Sequence, residues 1–335
     1  MPLSIYISPG PSIRRRARIQ FTTMVTAVSR LYDQLCHRCQ IPSSYVRVVL
    51  TDDFDAEVGR SQVRHRAYRE PDFAPGQTGS TVLARSVPQT DDHSRVTVVF
   101  DSRLWNDEES LDAHSKLTQL YVVAHELVHP ILFRARHASG ISLETPFSSA
   151  VTREKARSLS QALADEYRAD RLASMVIDQL AGSAIQSKSR KAGYRTTVVD
   201  ARFSSLRDEL NLAYPKWVDI VQTYRDRIID LETMRGIVEP SVERVLTTLV
   251  HAQATADDAG EADLFGQPPL ASFPTMVMHL KEPWQRFMDL LRTQAILPPM
   301  GSVRFCEEEV AEVGERSILE IWERLGLMSE KPVEQ

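Results

Sequence analysis

The chain has 335 residues, with 40 Lys and Arg against 45 Asp and Glu, a net charge of −5 and 42% hydrophobic content. This balance excludes a mainly disordered chain and gives no electrostatic reason to expect nucleic acid as a partner. The 3 cysteines cannot form a disulfide framework, and no run of about 18 apolar residues reads as a membrane span, so a soluble, cytoplasmic protein is expected.

In chain order, arginines at 14, 15, 16 and 18 precede a Thr-rich stretch broken by Arg30, a poor core for a signal peptide. Ile19, Val25, Val28, Leu31 and Leu35 predict a helix over 17–39 that ends before Pro42. Cys36 and Cys39 form a lone C-x-x-C without the second pair a zinc site needs, and they read as ordinary helical cysteines. Residues 45–51 predict a strand closed by the acidic turn 52–55, and 95–100 predict a second strong strand. Between them, 56–92 lack periodicity and are expected to form short strands and loops. A helix is predicted from Leu111 through 120–129, with a kink or an end at Pro130. After a loop at 138–148, a long helix spans 151–180 and stops at Ala181-Gly182. The basic run 188–195 reads as a solvated loop. From 202 onward, apolar spacing predicts helices at 203–213, 215–235, 241–255, 275–295 and 304–326, with 252–274 as a loop or linker.

The residues with chemical content are His125-Glu126-Leu127-Val128-His129, an H-E-x-x-H pattern. Positions four apart on a helix lie about 40° apart around its axis, so both imidazoles can reach one metal ion. Glu126 is placed to take a proton from an attacking water and pass it to a leaving amine. Composition alone predicts roughly 0.02 such matches in a chain like this one. Two histidines and a carboxylate in an apolar helix are also costly to bury without a partner. A catalytic zinc needs a third protein ligand and an open position for water. Leu132 and Ala135 stand where an H-E-x-x-H-x-x-G-x-x-H motif requires Gly and His, and His137 on a continued helix would lie about 12 Å along from His129. The better candidate is Glu166 in Ala164-Asp-Glu-Tyr-Arg-Ala-Asp170, with Asp170 on the same helix face to accept a hydrogen bond from a ligating histidine. Read by itself, that segment is also compatible with an ordinary solvated face paired to Arg168 and Arg171.

His125–His129 followed by Glu166-Tyr-Arg-Ala-Asp170 resembles the gluzincin metallopeptidases that carry an E-x-x-A-D third-ligand motif. The membrane-embedded HtpX-like peptidases and the soluble ImmA/IrrE-like peptidases come nearest, and the resemblance covers roughly residues 15–182. It implies an α+β zincin-like domain over 1–200, with 201–335 as a mainly helical extension. It also implies a zinc-dependent endopeptidase with His125, His129 and Glu166 as ligands, Glu126 as general base and Asp170 behind them. Further implications are a peptide or regulatory-protein substrate, an edge strand at 95–100 to pair with it, and an oxyanion stabiliser for which Tyr194, His251 and His279 are candidates. Two other classes stand beside this reading. One is a non-catalytic partner-binding or regulatory module on the same fold; the other is a structural zinc site with His137 as a fourth ligand.

Overall fold

A computed structural model describes residues 2–8, 13–63, 83–106, 113–140, 152–182, 188–260, 264–267 and 270–328. The chain is mixed α+β, mostly helical, with one small sheet among the described residues. It divides into two compact units, neither of which is one continuous stretch: 1–142 with 169–194 and 297–304, and 143–168 with 195–296 and 305–335.

The first unit holds the sheet. Its strands are β1 (Leu3–Ile7), β2 (Tyr45–Thr51), β3 (Ala84–Pro88) and β4 (Arg95–Asp101), in the order β1-β2-β4-β3. β1, β2 and β4 run parallel, and β3 closes the sheet antiparallel to β4, pairing Ser86 with Val98. β4 is therefore an inner strand, and β3 takes the outer position expected of 95–100. The run Val-Thr-Val-Val-Phe explains why, because a strand covered on both faces reads as continuously apolar. Phe100 packs edge-on against Phe21 of helix α1 (Arg15–Cys39), with ring centroids 5.3 Å apart. Val99, pointing the other way, joins Val87 and Phe54 and Val58 of α2 (Phe54–Val63).

α2 is a correction, since a loop or short strand was expected there. Its apolar signal is limited to Phe54 and Val58, one turn apart, and docking on the sheet supplies the rest. β1 was also not expected, and the predicted loop at 138–148 lies mostly outside the described residues. A short helix, α3 (Arg103–Asn106), follows β4, and then α4 (Ala113–Ala138) crosses the unit. The Tyr32 hydroxyl of α1 donates to the Ala124 carbonyl of α4 at 2.6 Å, and burial pushes that phenol's pKa far up. The helix does not end at Pro130: α4 continues two more turns.

α5 (Thr152–Gly182) is one continuous helix. Its first half belongs to the second unit, with most of α6 (Lys188–Arg225), α7 (Leu231–Ala259), α8 (Pro274–Thr293) and most of α9 (Met300–Arg324). Their shared core includes Leu163, Tyr167, Leu210, Leu246, Trp284, Phe287 and Trp322. α5 and α9 cross closely at Gly314, where an added Cβ would lie 2.5 Å from Ser160 Cβ. The basic run 188–195 is helical and not a loop. Pro215 and Pro240, expected near helix boundaries, sit inside α6 and α7. The actual break falls at 226–230, where Arg227 takes a positive φ of 60° and Asp230 caps α7 by accepting from the Thr233 amide at 2.7 Å. α7 then runs on to Ala259, into the stretch expected to be a linker, and ends on Gly260 at φ 79°. Among the described residues, no helix is long and apolar enough to cross a membrane.

Candidate metal centre

α4 carries the site because one of its faces is an unbroken series of rings four residues apart. Tyr121 stacks on His125 with centroids 6.3 Å apart, His125 meets His129 edge-on at 5.0 Å, and His129 stacks on Phe133 at 5.8 Å. Val123, Ala124, Leu127 and Val128 on the remaining faces are fully buried, which fixes the helix and sets the direction of the two imidazoles. Both imidazoles are themselves buried, and Glu126 between them is half-buried.

The imidazole orientation is held from behind. Asp170 Oδ1 lies 2.8 Å from His125 Nδ1 and accepts from the Tyr121 hydroxyl at 2.5 Å. Asp170 is 1% exposed, so these contacts are its protection against the cost of a buried charge. A carboxylate can only accept, so Nδ1 carries the hydrogen and the Nε2 lone pair of His125 is left for a cation. His125 Nε2 faces His129 Nε2 at 3.2 Å. Two nitrogens each about 2.0–2.1 Å from a tetrahedral zinc would stand about 3.3 Å apart, so the pair fits such an ion.

The third group comes from α5. The ligand atoms of His125, His129 and Glu166 all lie within 4.8 Å of one another, the cluster expected from the H-E-x-x-H and Glu166 positions. One turn of helix places Glu166 and Asp170 on the same side. The intervening residues have other tasks: Tyr167 is buried and donates to Asp257 Oδ2 at 2.8 Å, and Arg168 pairs with buried Glu307. The segment 164–170 is thus not a solvated face; Asp165, Tyr167, Arg168, Ala169 and Asp170 are all buried.

His137, the alternative fourth ligand, is absent from the cluster; its ring turns toward His93, with centroids 5.9 Å apart. Of the three oxyanion candidates, His251 on α7 lies with Nε2 3.8 Å from Glu166 Oε2. His279 sits on α8 next to Arg324, and burial and that cation push its pKa down. The side chain of Tyr194 lies outside the described residues. Two neighbours of the site were not anticipated. Tyr121 had a readable signal, being four residues before His125. Ser86 had none: its hydroxyl donates to the Glu126 carbonyl at 2.8 Å, a pairing across forty residues that no local pattern announces.

The arrangement could hold a metal ion through two imidazoles and one carboxylate. Such a donor set accepts zinc and other transition-metal ions. No family model, no curated protein and no solved structure matches this chain.

Proposed function

We propose that this protein is a zinc-dependent endopeptidase with a zincin-like active site. The observation that carries the reading is the convergence of His125, His129 and Glu166, with Glu126 following the first ligand and Asp170 orienting it. Three protein ligands leave one tetrahedral position open, the pattern of catalytic rather than structural zinc. The bound ion would supply Lewis acidity toward water and the scissile carbonyl. The chain's own residues do the rest. Glu126 takes the proton from the attacking water and delivers it to the leaving amine. Asp170 supports the positive charge that builds on His125. Among the described residues β3 is an outer strand of the sheet and packs on α4, a place where an extended peptide could pair.

The experiment is metal content per chain after dialysis against metal-free buffer, for wild type and Glu166→Ala, together with proteolysis by wild type and Glu126→Gln. About one zinc per wild-type chain is expected, reduced in Glu166→Ala. Glu126→Gln is expected to retain the zinc and lose at least 100-fold in turnover. A folded wild type that takes up no added zinc would refute the proposal.

A further inference from the structure

α4 runs unbroken through Pro130, although proline has no N–H to offer the carbonyl four residues earlier. That carbonyl belongs to Glu126. The Ser86 hydroxyl, on β3, donates to it at 2.8 Å. The same Oγ lies 3.1 Å from Glu126 Oε2. A hydroxyl has one hydrogen, and the carbonyl and carboxylate oxygens both only accept, so the two share it in a three-centre hydrogen bond. Main chain and carboxyl of Glu126 thus meet at one hydroxyl on the outer strand of the sheet.

We propose that Ser86 is the positioning residue for Glu126: it replaces the hydrogen bond that Pro130 removes from α4 and links the edge strand to the placement of the base. The catalytic half of this proposal rests on the metallopeptidase reading, whereas the replacement of the lost bond does not. Three features support it together. The carbonyl that Pro130 deprives is that of Glu126, the one polar residue of H-E-x-x-H outside the ligand cluster. The replacement donor comes from β3, an outer strand of the described sheet that packs on α4. Pro130 itself is buried, so water is a poor substitute donor next to it.

The test is a double-mutant cycle in the full, metal-free chain, with Ser86→Ala and Pro130→Ala made singly and together. Alanine at 130 returns an N–H to the Glu126 carbonyl. Ser86→Ala is therefore expected to lower the thermal midpoint by about 3 °C when Pro130 is present and by less than about 1 °C alongside Pro130→Ala. A Ser86→Ala chain that folds only together with Pro130→Ala supports the proposal in the same way. Equal losses in the two backgrounds overturn it, whatever the activity. In the zinc-loaded protein, with unfolded β-casein as probe, Ser86→Ala is expected to keep wild-type zinc content and KM while kcat falls about tenfold. Ser86→Thr, which retains the hydroxyl, is expected to recover most of that loss. A coupled stability cycle with unchanged kcat overturns the link to the base. A wild type that holds zinc and cleaves no casein overturns the peptidase reading, and the stability cycle then decides the role of Ser86 by itself.

Discussion

Replacing Asp170 separates the geometry of the candidate metal centre from its charge. The hydrogen bonds from Tyr121 at 2.5 Å and from His125 Nδ1 at 2.8 Å both reach Oδ1. Asparagine can keep an oxygen at that point while losing the charge, whereas alanine removes both. Losing the partner of a ligating histidine weakens metal binding by about 10–100-fold, or about 1.4–2.8 kcal/mol. Asp170→Asn is expected near the lower end and Asp170→Ala near the upper. Alanine also leaves two donors without this acceptor, on residues only 8% and 9% exposed, at about 1–3 kcal/mol for each unsatisfied group. Relief of the carboxylate's own desolvation offsets part of that cost in the metal-free protein. The assay is zinc competition against a chromophoric chelator, with urea unfolding of the same samples. A folded Asp170→Ala protein that binds zinc within twofold of wild type would refute the view that Asp170 holds His125 for the metal.

Two further outcomes are expected away from the metal. Gly314→Ala brings a methyl to 2.5 Å from Ser160 Cβ and 2.9 Å from the Phe287 ring, so urea unfolding should show a loss of about 1–3 kcal/mol; no loss would mean that α5 and α9 do not cross as closely as described. Burial pushes the Cys36 thiol from its ordinary 9.0 up to about 11. The unfolded chain therefore releases this proton first, and the stability it contributes is present below pH 9 and lost as pH rises toward 11. Native protein at pH 8 should accordingly protect Cys36 from a thiol reagent until it unfolds, and a decline in stability above pH 9 should be smaller in Cys36→Val. Equal declines in the two proteins would exclude Cys36 as its source.

The parts of this structure that were readable in advance are those encoded locally. Val46 to Leu50 and Val96 to Phe100 announce strands through valine-rich runs that only Arg47 and Thr97 interrupt. The i, i+4 spacing of His125 with His129 and of Glu166 with Asp170 states directly that each pair shares a helix face. Sheet order is not local in this sense. Whether β4 or β3 lies at the edge depends on pairing with residues far along the chain, and a buried inner strand and an outer one can differ by little in composition. α2 escaped notice because only Phe54 and Val58 mark its buried face. The in-helix prolines misled for another reason. The rule that proline ends a helix weighs one lost hydrogen bond, and in α4, α6 and α7 the burial of neighbouring turns outweighs it. Tyr121 was within reach of the same periodic reasoning that found the histidines, but Ser86 could be found only in three dimensions.

Pro215 and Pro240 have a consequence for how the helical unit assembles. A segment with proline in its interior has little tendency to be helical as a free peptide. Helix α7 nonetheless buries Met234, Val238, Val242, Val245, Leu246 and Leu249 on both sides of its proline. Its backbone order is therefore a product of collapse, with no preformed rod waiting to dock. In native-state amide exchange, its interior hydrogens should open together with the surrounding core and not by independent fraying. A peptide spanning 231–259 should be largely unstructured in water.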